Sequence, residues 1–146
     1  MEAKATADMQ NSCPARPGRP GAGRLRALVI DDSTFDLRLV TRHCKRLGID
    51  VTCARSAAEA RARLDGGGYD LLLVDHALGA ATGFDVLAAL DGHPALPRRR
   101  ILLTGNDDPR IAAEAAAQGL GACLPKSALG SSRMAALLRA GPEAEV

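Results

Sequence analysis

Short unbroken runs of apolar residues alternate along the chain with longer stretches of helical periodicity. The clearest run covers residues 71–74 (LLLV), which show no polar alternation and end at Asp75. Such a run is typical of a strand buried on both faces of a parallel sheet. Four further strands are predicted over residues 26–30, 49–53, 99–104 and 121–124.

A helical pattern follows each of these five strands. The first helix is predicted from Ser33 to Leu47, and a second after Ser56, which forms a predicted capping box with Glu59. Further helices are predicted over residues 84–90, 108–118 and 127–139. Strands that alternate with helices predict an α/β fold, in which a doubly wound parallel sheet of five strands carries helices on both faces.

The two ends of the chain lack this pattern. Residues 1–24 are rich in Ala, Pro, Gly and Arg and carry no apolar periodicity, so we expect a disordered, mildly basic tail. Residues 25–140 are expected to form one domain of about the usual size, and residues 141–146 a short second tail.

Composition narrows the possible partners and location of the protein. Hydrophobic residues make up 47% of the 146 residues and aromatic residues only 2%, so the core must consist of Leu, Val, Ile and Ala. The net charge of +2 is too small to imply a nucleic-acid partner. The 4 cysteines show neither CxxC nor metal-ligand spacing, and the chain has no long apolar run or signal peptide. We therefore expect a cytoplasmic protein without a membrane partner.

Polar residues stand at the carboxyl ends of four predicted strands. They are Asp31 and Asp32 after the first strand, Asp75 after the third, Thr104 at the end of the fourth and Lys126 after the fifth. Because the carboxyl ends of parallel strands meet at one edge, where such sheets bind ligands, we expect these residues to gather. Each alone has an ordinary explanation, as a helix cap, a turn residue or an exposed lysine. Their combination indicates a site.

The chemistry of such a site follows from its charges. Carboxylates that share one crevice repel each other unless a cation lies among them, and a hard divalent ion such as Mg²⁺ suits oxygen ligands. An ionised Asp75 could attack phosphorus, while the metal and Lys126 neutralise the phosphoryl oxygens. The Thr104 hydroxyl would donate a hydrogen bond to one of those oxygens. The predicted chemistry is the acceptance and retention of a phosphoryl group.

From about residue 25 to residue 139 the chain resembles a response regulator receiver domain of two-component signalling. The resemblance rests on Asp31-Asp32, on Asp75 with Gly83 eight residues later, on Thr104 in ILLT, and on Lys126 in CLPKS. It implies a flavodoxin-like sheet of strand order 2-1-3-4-5. It also implies phosphorylation of Asp75 by a histidine kinase or a phosphotransfer protein.

The resemblance further implies a set of ligands for Mg²⁺. Asp32, Asp75 and the backbone carbonyl of Ala77 would hold the ion, and Asp31 would act through water. Ala77 and Asn106 would flank the phosphoryl group and tune its lifetime.

The chain departs from the family three residues before Lys126, where Cys123 replaces an aromatic switch residue. In the family that ring swings inward as the threonine moves toward the phosphoryl group, so this readout is expected to be missing or altered. The leading hypothesis is a single-domain response regulator that is not an enzyme. Because no output domain follows the last helix, it would act by protein–protein interaction on a downstream target or by passing the phosphoryl group on.

Two alternatives remain open. The first is an interaction module that keeps these residues but signals without phosphorylation, which the loss of the aromatic switch motivates. The second is a phosphohydrolase with an aspartyl nucleophile. Those enzymes carry Asp-x-Asp after the first strand, whereas this chain has Asp31-Asp32-Ser33 there. It also shows no acidic residue of the kind that catalytic turnover would require. The second alternative is therefore the weaker.

Overall fold

The computed structural model describes residues 24–105 and 108–139. The predicted tails, apart from Arg24, and Asn106 lie outside these ranges. The strands are β1 (Arg26–Ile30), β2 (Asp50–Ala54), β3 (Leu71–Asp75), β4 (Ala77–Leu78), β5 (Ala81–Thr82), β6 (Arg99–Thr104) and β7 (Ala122–Pro125). The helices are α1 (Thr34–Arg46), α2 (Ala57–Asp65), α3 (Gly83–Leu90), α4 (Pro109–Ala117) and α5 (Ser132–Arg139).

Five parallel strands form one sheet in the spatial order β2-β1-β3-β6-β7. Counting only these five strands along the chain gives the order 2-1-3-4-5, so the predicted doubly wound fold is confirmed. The remaining two strands, β4 and β5, pair with each other as a small antiparallel hairpin directly after β3. This hairpin was not predicted from the sequence.

The sheet separates two apolar cores. Helices α1 and α5 pack on one face, and α2, α3 and α4 pack on the other. The central strand β3 contributes side chains to both cores. Leu71 and Leu73 belong to the core with α1 and α5, and Leu72 and Val74 to the core with α2, α3 and α4. Side chains alternate between the faces of a strand, so burial on both sides requires the unbroken apolar run.

Side-chain caps fix where the helices begin. The Ser56 hydroxyl accepts a hydrogen bond from the Glu59 backbone N–H at 3.1 Å, as predicted for the start of α2. The Glu59 carboxylate, however, accepts from the Arg55 N–H at 2.8 Å, one residue before the position that a capping box requires. A complete capping box occurs instead at α3, between Thr82 and Asp85.

The final helix begins later than predicted. The sequence pattern predicts one helix over residues 127–139, but Lys126–Ala128 form a 3₁₀ turn and α5 begins at Ser132. Gly130 has a φ of 85°, a conformation that interrupts a right-handed helix and that glycine adopts readily. The Ser131 hydroxyl then accepts a hydrogen bond from the Met134 N–H at 3.2 Å and caps α5. The predicted start at Ser127 was therefore wrong.

In the described part of the chain, no helix combines the length and the apolar character that crossing a bilayer requires.

The first residue of α3 passes very close to the end of β3. The Gly83 N–H donates a hydrogen bond to the His76 carbonyl oxygen at 2.8 Å. A Cβ atom at position 83 would lie 2.6 Å from the Asp75 carbonyl oxygen and 3.0 Å from a methyl group of Leu102. Only glycine fits here, so Gly83 lets α3 start directly beside Asp75.

We expect Gly83→Ala to lower the free energy of unfolding by about 1–3 kcal/mol, because the added methyl group overlaps a backbone oxygen of the central strand. Urea unfolding of the variant measures this loss. Gly66→Ala is the matched control, because Gly66 has a right-handed helical conformation and the nearest atom would lie 3.4 Å from its Cβ. Equal stability changes in the two variants would contradict the predicted overlap.

Candidate functional site

Three carboxylates lie together at the carboxyl edge of the sheet. Asp31 follows β1 and has no exposed surface, Asp75 ends β3 and is 4% exposed, and Asp32 is exposed. One carboxylate oxygen from each of the three lies within 4.8 Å of the others. The structure therefore brings together the acidic residues that the sequence placed at two separate strand ends.

The Lys126 ammonium group lies among these carboxylates. Its Nζ atom is 3.0 Å from Asp75 Oδ1 and 3.3 Å from Asp31 Oδ2. A third carboxylate, that of Asp36 in the first turn of α1, lies closer still, with Oδ2 at 2.6 Å. Asp36 was missed in the sequence because an acidic residue in the first turn of a helix already has an ordinary role in stabilising the helix dipole.

Burial has the largest effect on the pKa of Asp31, and the groups around it add to this effect or oppose it. Burial raises the pKa of Asp31 to about 6. The Ser33 backbone N–H, which donates to Asp31 Oδ1 at 3.0 Å, opposes this rise, whereas the negative charge of Asp75 adds to it and Lys126 reduces it. The environment of Asp31 therefore favours its neutral form more than water does.

Burial and neighbouring charges also act against each other on the pKa values of Asp75 and Lys126. Burial raises the pKa of Asp75, the hydrogen bond and charge of Lys126 lower it, and the charges of Asp36 and Asp32 raise it further. Burial disfavours the charged form of Lys126, but its hydrogen bonds to Asp36 and Asp75 and the charges of Asp31 and Asp75 together outweigh this effect and keep its pKa above the ordinary value. Lys126 is thus firmly cationic and holds Asp75 by an ion pair.

Of the other predicted site residues, Thr104 and Ala77 lie at the same edge of the sheet, Cys123 lies within β7, and Asn106 is outside the described residues. Thr104 is buried at the end of β6, and its register partner is Pro125, the residue before Lys126. Ala77 is exposed and pairs with Thr82 in the hairpin after Asp75. Cys123 is half-buried and packs against the core that includes α2, α3 and α4.

Arg55 connects the loops that follow β1 and β2. Its guanidinium donates to the Thr34 hydroxyl at 2.5 Å and to the Asp32 carbonyl oxygen at 3.1 Å. These hydrogen bonds hold the backbone that carries Asp32 against the neighbouring loop. Arg55 was not predicted as a site residue, since its contacts depend on how the two loops meet in three dimensions.

The three carboxylates of Asp31, Asp32 and Asp75 together suit a hard divalent cation. The three grouped residues offer only oxygen ligands, which Mg²⁺ prefers, and they come within a distance that one ion can bridge. Burial, and then the neighbouring negative charges, raise the pKa values of Asp31 and Asp75, and a bound cation would favour the ionised form of both groups.

Comparison with known proteins agrees with the fold. The family model described as the response regulator receiver domain matches residues 27–139. The gliding motility regulatory protein of Myxococcus xanthus is 31% identical over 115 residues. That match covers 76% of this chain and 14% of the relative, so the chain corresponds to a small part of that protein's length.

Solved structures show the same architecture. The signal receiver domain of an HD domain-containing protein from Pseudomonas fluorescens Pf-5 is similar with a TM-score of 0.70 and 25% identity, covering 84% of this chain and 97% of that one. A response regulator from Burkholderia pseudomallei, crystallised with a phosphorylated aspartic acid, a calcium ion and citrate, gives a TM-score of 0.66 and 28% identity. The match covers 79% of this chain and 66% of that chain.

In the absence of divalent metal, we expect the protein to lose stability as the pH rises from about 4 to about 6. The folded-state pKa of Asp31 is about 6, whereas the ordinary value is 3.8. The folded state therefore binds this proton more tightly, and the stability it contributes is present below the ordinary pKa and lost as the pH rises through the folded-state value. The loss is on the order of 2 kcal/mol.

Urea unfolding in EDTA at several pH values tests this expectation. Asp31→Asn should flatten the decline, because its amide does not ionise. Asp91→Asn, which removes an exposed carboxyl at the end of α3, serves as the control and should keep the wild-type decline. Parallel curves for wild type and Asp31→Asn would refute the raised pKa assigned to Asp31.

Proposed function

The chain belongs to the response regulator receiver family, and we propose that it accepts a phosphoryl group on Asp75 in a two-component phosphorelay. The observation that carries this proposal is the buried Asp75 carboxylate, paired with Lys126 at 3.0 Å within a group of carboxylates suited to a divalent cation. The buried position limits the access of bulk water, and the ion pair places a cation where a phosphoryl group would add negative charge.

In the proposed reaction, an Asp75 carboxylate oxygen forms a bond to phosphorus. The bond that breaks is the P–N bond of a phosphohistidine or the P–O bond of a small acyl phosphate, and the leaving group departs with its electron pair. Asp75 must be ionised for this attack. Its ion pair with Lys126 supports the charged form against the effect of burial.

Other residues at the edge of the sheet would hold the phosphoryl group. The Lys126 ammonium would neutralise one of its oxygens, and the Thr104 hydroxyl would donate a hydrogen bond to another. A Mg²⁺ ion, held by Asp32, Asp75 and the Ala77 carbonyl and by Asp31 through water, would supply further charge neutralisation. Ala77 and Asn106 would flank the group and set how long it persists.

The proposed partners follow from this chemistry. A histidine kinase or a phosphotransfer protein in the cytoplasm would supply the phosphoryl group. The phosphorylated protein would then bind a downstream protein or pass the group to a further phosphotransfer protein. Family membership supports this part of the proposal, because receiver domains are signalling modules.

A second candidate is an interaction module that signals without phosphorylation. Cys123 favours it, because this small, half-buried side chain stands where the family's aromatic switch is expected. The two candidates differ in what Asp75→Asn does in the cell. Loss of the signalling output supports the phosphorelay, whereas a normal output supports the independent module.

We expect wild-type protein incubated with acetyl phosphate and Mg²⁺ to gain one phosphoryl group by intact-mass analysis. Replacing Mg²⁺ with EDTA should abolish the phosphoryl adduct, because the grouped carboxylates then repel the anionic donor. Asp75→Asn should form no adduct, and Asp91→Asn, with an exposed carboxyl changed, should match wild type. Formation of the adduct in Asp75→Asn would contradict the proposed acceptor. The absence of an adduct in folded wild-type protein would contradict it as well.

A further inference from the structure

Asp36 is a fourth carboxylate at the site, and it lies outside the group that could bind metal. Its place in the first turn of α1 is fixed by the N-cap, because its backbone N–H donates to the Ser33 hydroxyl at 3.2 Å. Its carboxylate oxygen is 2.6 Å from Lys126 Nζ, compared with 3.0 Å for Asp75 and 3.3 Å for Asp31. The shortest ion pair of Lys126 is therefore made with Asp36 and not with the proposed acceptor.

The Lys126 ammonium already has as many carboxylate partners as it has protons. An ammonium group carries three donors, and three carboxylates lie within ion-pair distance of it. A phosphoryl group on Asp75 would bring further anionic oxygens that need the same donors. Its contact with Lys126 could then form only if one of the present contacts lengthens or is shared.

Of the three ion pairs of Lys126, the one with Asp36 is the easiest to break. Asp31 and Asp75 are buried, so separating either from Lys126 would leave a buried carboxylate without its cation. The Asp36 side chain is 26% exposed, so water can replace the ammonium as its partner. Asp36 can therefore release Lys126 at a lower cost than the other two carboxylates.

Asp36 also adds to the negative charge that an anionic phosphodonor meets. Its charge raises the pKa of Asp75, which shows that the two carboxylates interact electrostatically. Repulsion of the donor and competition for Lys126 act in the same direction, since both slow the arrival of a phosphoryl group at Asp75.

We propose that Asp36 restrains phosphorylation of Asp75 by competing with the incoming phosphoryl group for the Lys126 ammonium. The inference rests on the proposed phosphoacceptor function, and Asp36 acts in it as a positioning residue, through Lys126. Two other roles predict different results. A carboxylate that only stabilises the helix dipole would leave the phosphorylation rate unchanged, and one that only holds Lys126 in place would slow phosphorylation when removed.

The test compares the rate of phosphoryl adduct formation from acetyl phosphate and Mg²⁺ in wild type, Asp36→Asn and Asp36→Glu. We expect Asp36→Asn to react about two- to fivefold faster, which is the range set by a partly exposed ion pair. Asp36→Glu keeps the charge and should react close to the wild-type rate. The acceleration in Asp36→Asn should shrink as the salt concentration rises, because salt screens the competing charge.

A second measurement needs no phosphorylation. Unfolding free energies of wild type, Asp36→Asn, Lys126→Met and the double variant form a cycle that reports whether the two side chains interact in solution. The inference requires a favourable coupling between them. Additive effects would overturn it, because Asp36 would then not hold Lys126.

The outcomes separate this inference from the proposed function. If wild type is phosphorylated at Asp75 but Asp36→Asn reacts at the same rate or more slowly, competition by Asp36 is refuted and the phosphoacceptor function stands. If folded wild type forms no adduct, both the function and the competition are refuted. Faster phosphorylation of Asp36→Asn together with a favourable coupling to Lys126 supports both.

Discussion

The Lys126 ammonium is the only cation within ion-pair distance of Asp31, Asp36 and Asp75 among the described residues, and the site depends on this one group. Two of the three carboxylates are buried, and a buried charge is costly unless it is paired. The ion pairs lower this cost without removing it, because burial and, to a lesser degree, the neighbouring negative charges keep the pKa values of Asp31 and Asp75 above their ordinary values. The grouped carboxylates of Asp31, Asp32 and Asp75 are therefore suited to a divalent cation.

The sheet supplies the geometry that such a site requires. Strands β1 and β3 are neighbours, and both end at the edge where Lys126 follows β7. Burial of β3 on both faces fixes the position of Asp75 at its end, and Gly83 allows α3 to start beside it. The same packing that stabilises the fold thus determines the spacing of the charged groups.

Much of this arrangement follows from local patterns in the sequence. The apolar run before Asp75 and the alternation of strands with helices predict the doubly wound sheet, and strand ends predict that Asp31, Asp75 and Lys126 meet. Asp36 could not be found this way because an acidic residue in the first turn of a helix already has an ordinary role, and Arg55 because its contacts depend on how two loops meet. The start of α5 was misjudged for a different reason. Apolar periodicity continues through residues 127–131, and the positive φ of Gly130 overrides it.

We expect this charge arrangement to direct a phosphoryl group to Asp75 and to no other residue. The most direct test is to locate the group chemically. After reaction with acetyl phosphate and Mg²⁺, borohydride would reduce an aspartyl phosphate to an alcohol, which peptide mass spectrometry can assign to one position. We expect reduction at position 75 alone. Reduction at another carboxylate, or a stable phosphoryl group on a hydroxyl residue, would contradict it.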